Sequence, residues 1–130
     1  MQSKGVGALA GCAALTVGIA IAPCACAAMA RAETSLTLSV QTGQQTSERT
    51  LRCNPPAGNH PSPAAACDAL AAAGGDFTKL RGQPGMMCFD IYDPVSAHAR
   101  GVYNGTPVDF QHTYSNRCDL DRRTSPVFGF

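Results

Sequence analysis

The sequence predicts an α+β domain: an antiparallel sheet of about five strands, two short helices and two disulfides. Three observations carry this. Ser35-Leu36-Thr37-Leu38-Ser39-Val40-Gln41 alternates with the period of a half-buried strand. An alanine-rich run, residues 64–73, starts behind Ser62-Pro63 and stops at Gly74-Gly75, as a capped helix does. An even set of cysteines, Cys53, Cys67, Cys88 and Cys118, lies beyond residue 30.

Length and charge narrow the function classes. At 130 residues the chain holds one domain. Charged residues reach only 15% and the formal net charge is +1, so neither a nucleic-acid surface nor an acidic tail is present.

Residues 1–30 read as a secretory signal peptide. Lys4 supplies the positive start, and Leu9, Ala10, Ala13, Ala14, Leu15, Val17, Ile19 and Ile21 supply the apolar stretch. Ala28-Met29-Ala30 offers a small-residue cleavage site before Arg31. Residues 5–22 just reach the length of a membrane span. The cleavage site and the lack of a cationic stop-transfer cluster favour a removable leader. Leu9-Ala10-Gly11-Cys12 has the form of a lipobox but precedes most of the apolar run, and is read as coincidence. Cleavage removes Cys12, Cys24, Cys26 and Lys4, leaving a neutral domain over 31–130 with four cysteines. Secretion makes two disulfides the default, with three connectivities open.

The elements follow in order. The strand carrying Leu36, Leu38 and Val40 is broken by the polar residues 42–47, and Arg49 to Cys53 forms a second short strand. Asn54-Pro55-Pro56 ends it. Ser62 is the expected helix cap, Pro63 the first helical residue and Gly74-Gly75 the stop, with Asp76 capping one more turn through Leu80. Residues 81–85 form an irregular lead-in to an extended segment, Met86-Met87-Cys88-Phe89-Asp90-Ile91-Tyr92-Asp93-Pro94. Asn104-Gly105 marks a hairpin between strands at 97–103 and 108–113. Its Asn-Gly-Thr triplet is formally a glycosylation acceptor and is read only as a turn. Ser115 or Asn116 caps a helix carrying Cys118 and Leu120, and Val127-Phe128-Gly129-Phe130 reads as a last strand.

Enzyme chemistry finds no support. His60, His98 and His112 are scattered without metal-ligand spacing and read as surface or edge-strand residues; no metal or cofactor is expected. No C-x-x-C occurs beyond residue 30, and Gly74-Gly75 lacks the strand–loop–helix context of a phosphate cradle.

The 86–94 stretch is the informative one. Cys88-Phe89-Asp90-Ile91-Tyr92-Asp93-Pro94-Val95 resembles the Cys-Pro-x-x-Tyr-Asp-Pro-Val loop of the Streptomyces subtilisin inhibitor family. The likeness extends to His60-Pro61 with Ala66-Cys67 and Leu70, Gly74-Gly75-Asp76, Gly101-Val102 with Gly105, Ser115-Asn116 with Cys118, and the terminal Val127-Phe128-Gly129-Phe130. It implies the pairs Cys53–Cys67 and Cys88–Cys118, a homodimer, and secreted inhibition of a serine protease of subtilisin or chymotrypsin type. It also implies a substrate-like loop with its scissile bond at Asp90–Ile91. Met87 would then fill an apolar subsite, Cys88 and Pro94 stiffen the flanks, and Tyr92 and Asp93 anchor the exit. Two residues depart from the pattern: Phe89 stands where the family has Pro, and Asp90 where it carries Met, Lys or Arg. A carboxylate buried unpaired in an apolar pocket costs several kcal/mol, so the expected target tolerates an acidic residue. The alternatives are a disulfide-stabilised secreted binding module whose loop has lost activity toward subtilisin, and a structural or adhesion module that no feature favours.

Overall fold

A computed structural model describes residues 32–130. The leader expected at 1–30, with Cys12, Cys24, Cys26 and the expected cleavage site, lies outside the described residues. The elements run β1 (Thr34–Thr42), β2 (Gln45–Cys53), α1 (Pro63–Ala72), a 3-10 turn (Phe77–Lys79), β3 (Val95–Tyr103), β4 (Thr106–Tyr114) and α2 (Arg117–Thr124). The strands form one antiparallel sheet in the order β2-β1-β3-β4.

The alternation in β1 does what its period requires. Leu36, Leu38 and Val40 are buried, while Thr37 and Gln41 point out. Val95, Ala97 and Ala99 of β3 continue the buried face, with Leu51 from β2 and Tyr114 from β4. Against it pack Ala66, Cys67 and Leu70 of α1, Phe77, Leu120 of α2, and Val127 and Phe128. One sheet face is therefore covered and the other carries polar residues such as Thr37, Ser39, His98 and Arg100, the usual solution for an antiparallel sheet.

The polar stretch after β1 is a hairpin rather than a break. Thr42 pairs with Gln45, and β2 begins four residues before the expected Arg49. Residues 45–48 are all exposed, which explains their composition: an edge strand need not alternate in hydrophobicity where neither face is buried. At the β3–β4 turn Asn104 and Gly105 both take positive φ, 47° and 82°, as a two-residue hairpin demands.

Ser62 stands at the cap position of α1, yet its side chain makes no capping bond; Pro63 follows as the first helical residue. Gly74 is left-handed, and the Gly75 N–H donates to the Leu70 carbonyl to close the helix. Asp76 Oδ1 accepts from the Thr78 N–H at 2.9 Å and starts the 3-10 turn.

Two expectations are corrected. The sheet has four strands, not five, because Val127-Phe128-Gly129-Phe130 is not extended. The Val127 and Gly129 N–H groups donate to the carbonyls of Thr124 and Pro126, so the segment is a succession of turns. Its apolar character reports burial: Phe128 lies fully inside, against the stacked pair Phe77 and Phe110. His60 is not a surface residue. It is 4% exposed, and its Nδ1 accepts from the Ser62 N–H at 2.9 Å. Nε2 therefore carries the hydrogen and donates to the Val127 carbonyl at 2.8 Å, tying the start of α1 to the C-terminal turns.

The disulfides are Cys53–Cys67 and Cys88–Cys118, with sequence separations of 14 and 30. Chain-entropy arithmetic assigns about 3 and about 3.7 kcal/mol to loops of these sizes.

Candidate functional site

Residues 80–94 contain no helix or strand. Pro84 and Gly85 do not propagate a ladder, and the Met86 N–H turns back to the Gln83 carbonyl at 3.2 Å. Beyond this turn the chain projects four large apolar side chains: Met87 is 92% exposed, Phe89 85%, Tyr92 80% and Ile91 62%. Asp90 stands among them, also exposed. A protruding cluster of this kind marks a surface made for a partner.

The loop is held by one stretch of chain, residues 115–122. On the approach side, the Gln83 N–H donates to the Arg122 carbonyl at 2.8 Å. Gly82 lies so close to that carbonyl that any Cβ would overlap it, and its φ is +61°. Cys88 is then bridged to Cys118. At the tip, the Asn116 carboxamide donates to two backbone carbonyls, Ile91 at 2.7 Å and Phe89 at 3.3 Å. These flank Asp90. The Ile91 N–H bonds back to the Phe89 carbonyl at 2.9 Å, closing a three-residue turn across Asp90. On the exit side, the Asp93 N–H donates to the Ser115 carbonyl at 2.8 Å, and Pro94 leads into the buried Val95 of β3.

Asn116 reaches the loop because it is also the N-cap of α2, where its Oδ1 accepts from the Asp119 N–H at 2.8 Å. The nearly buried Asp119 carboxylate accepts from Arg122 at 2.6 Å, Arg123 at 3.0 Å, and the N–H and hydroxyl of Ser115. Burial works to raise this carboxyl's pKa; the bonds from Arg122 and Ser115, with the charge of Arg123, outweigh it and hold the group below its ordinary value. Burial raises the neighbouring Tyr114 hydroxyl, with Arg123 opposing and Asp119 adding to the shift.

Met87, Cys88, Phe89, Asp90, Ile91, Tyr92, Asp93 and Pro94 thus lie on one exposed loop, fixed through backbone groups and a disulfide rather than through the side chains of Phe89, Ile91 or Tyr92. Asn116 is recognisable in the sequence as a possible cap, whereas its second role shows only in the fold. The available signal was its position two residues before Cys118, which the disulfide brings beside Cys88. Among the described residues, no three His, Cys, Asp or Glu side chains gather as a metal site, and no helix is long and apolar enough to cross a membrane.

A loop held through its backbone on a disulfide-bonded sheet, presenting exposed side chains in series, is preorganised for binding a partner, as protease-inhibitor scaffolds are. A family model described as subtilisin inhibitor-like matches residues 32–116, and the chain belongs to that family, whose members are protease inhibitors and not enzymes. It is similar to subtilisin inhibitor-like protein 5 of Streptomyces fradiae, with 40% identity over 106 residues, covering 76% of this chain and 99% of that protein. It is likewise similar to the trypsin inhibitor STI2 of Streptomyces longisporus, at 35% identity over 95% of this chain and 90% of that one. Among solved structures, Streptomyces caespitosus sermetstatin in complex with Bacillus licheniformis subtilisin matches with a TM-score of 0.64 and 34% identity, covering 75% of this chain and 99% of that one.

Proposed function

We propose that this protein is a secreted serine protease inhibitor that offers residues 87–94 as a substrate-like loop with its scissile bond at Asp90–Ile91. The observation that carries the reading is the Asn116 carboxamide, which holds the carbonyls of Phe89 and Ile91 on either side of that bond. A protease serine attacking the Asp90 carbonyl forms an acyl-enzyme at Asp90 and frees an amine on Ile91. Both fragments stay tied to the same body, one through Cys88–Cys118 and the other through the Asp93–Ser115 bond. The amine therefore remains beside the acyl group, and re-ligation competes with hydrolysis. Little ordering entropy remains to be lost on binding, which favours tight association over an interface of about 1,600 Å².

Asp90 enters the primary specificity pocket in this reading, with Met87 in an apolar subsite. Relatives named as inhibitors of subtilisin and of trypsin share the fold, which supports target choice lying in the loop's side chains. The target is accordingly a subtilisin- or chymotrypsin-like protease whose pocket accepts a carboxylate. The two disulfides support an oxidising compartment and hence the leader reading of residues 1–30. Self-association into a homodimer, implied by the resemblance, belongs to the same proposal.

A panel of acid-specific and apolar-specific serine proteases tests it. The expected result is tight inhibition of an acid-specific enzyme with slow, limited nicking at Asp90–Ile91. Stronger inhibition of ordinary subtilisin overturns the specificity, and rapid proteolysis or no binding across the panel overturns the inhibitor reading in favour of an inactive binding module.

A further inference from the structure

Only Ser115 and Asn116 separate β4 from α2, and both grip the loop: Ser115 by its carbonyl, Asn116 by its carboxamide. The geometry of that corner is set by one residue. Asp119 donates its N–H to Asn116 Oδ1, while its carboxylate reaches back to the Ser115 N–H at 3.4 Å and hydroxyl at 3.3 Å. This is a capping box extended one residue upstream of the cap.

Its surroundings go beyond what a cap requires. The Asp119 side chain is 9% exposed, and Arg122 and Arg123 both close on Oδ1. An ionised carboxylate that deep is stable only while those donors satisfy it, and they in turn hold its other oxygen on Ser115. The same helix turn carries the Arg122 carbonyl that receives the Gln83 N–H, so both ends of the loop meet groups oriented by this network.

We propose that Asp119 is a positioning residue for the loop, fixing the Ser115–Asn116 corner through its carboxylate; the inference rests on the reading of residues 87–94 as the protease-facing loop. Asp119 touches none of the exposed loop side chains and acts through Ser115 and Asn116.

The test is native-state hydrogen exchange on the intact, disulfide-bonded protein and its Asp119→Asn and Arg122→Gln variants. The second variant keeps the carboxylate and cap and removes one guanidinium, which guards against a folding failure in the first. The amides of Asp93 and Ile91 report local opening of the loop, and Leu38 in β1 reports the core. Protection of Asp93 and Ile91 is expected to fall about tenfold in Asp119→Asn and by a smaller factor in Arg122→Gln. A role confined to overall stability lowers the melting temperature and leaves these local openings within about twofold of the parent in both variants; that result overturns the proposal. Exposure of each variant to the inhibited protease should also shorten the time to cleavage at Asp90–Ile91. If the parent protein inhibits no protease in the panel, the loop's function is refuted, while the exchange measurement still decides the role of Asp119.

Discussion

Asn116 performs two tasks that a pair of substitutions separates. As the N-cap of α2 it accepts from the Asp119 N–H, and as a clamp it donates to the carbonyls of Ile91 and Phe89. Asn116→Ala removes both. Loss of the cap costs about 1 kcal/mol, which in a domain of this size lowers Tm by about 4–8 °C. The bond to Ile91 is short at 2.7 Å and that to Phe89 long at 3.3 Å. Together they are worth about 1.4 kcal/mol to the ordered loop, or about tenfold in the fraction poised for re-ligation. Asn116→Ser keeps a hydroxyl that caps as well as Asn but has no amide to reach the loop. The serine variant should therefore melt about 4–8 °C above the alanine variant. It should still lose inhibition lifetime about tenfold, like the alanine variant. Thermal melts, with mass spectrometry of cleavage at Asp90–Ile91 during protease incubation, measure the two effects. A serine variant with the parent's inhibition lifetime, or losses that simply track Tm across the pair, would refute the clamp.

Four further outcomes follow from the same geometry. Asp90→Met should tighten inhibition of subtilisin by at least about a hundredfold in equilibrium inhibition assays, because an unpaired carboxylate buried in an apolar pocket costs several kcal/mol. Replacing Cys88 and Cys118 together with Ser should cost about 3.7 kcal/mol in denaturant titrations and turn the inhibitor into a rapidly cleaved substrate. Gly82→Ala should destabilise the lead-in, since its Cβ overlaps the Arg122 carbonyl at a φ of +61°; weaker inhibition with little change in β-sheet circular dichroism is the expected pattern. Asp119, facing Arg122, Arg123 and Tyr114, titrates in the folded state below its ordinary value of 3.8. Its stabilisation is complete above that unfolded value and is lost as pH falls through the folded one, so parent and Asp119→Asn should differ in Tm at neutral pH and converge in acid.

Much of the fold was legible because its signals are local. The alternation in β1 states which side chains are inward, and Asn104-Gly105 can hardly be anything but a hairpin turn. The terminal Val127-Phe128 run misled because apolar residues report burial, and so short a run cannot distinguish a strand from turns pressed into the core. His60 misled for the converse reason. A lone histidine between Asn59 and Pro61 looks exposed, and only the distant Val127 carbonyl and the turn to Ser62 satisfy its two ring nitrogens inside. The loop's sequence was visible, but its support was not, since Asn116, Ser115 and Arg122 meet it across separations of 22 to 39 residues that only the folded β3–β4 hairpin closes.

That hairpin explains how a segment without regular structure holds one shape. The 30-residue span between Cys88 and Cys118 contains β3 and β4, so the sheet fixes the distance between the loop's exit and the helix that supports it. Ordering a backbone residue costs about 1–2 kcal/mol, and here that cost is met when the sheet and α2 fold, not when a partner arrives. The hydrogen bonds that hold the tip use carbonyl and N–H groups of Phe89, Ile91 and Asp93. They are therefore indifferent to what side chain stands at position 90. In the proposed reading, rigidity and target choice are thus written in different atoms, and Asp90 would redirect the loop toward a different pocket without disturbing the frame that holds it.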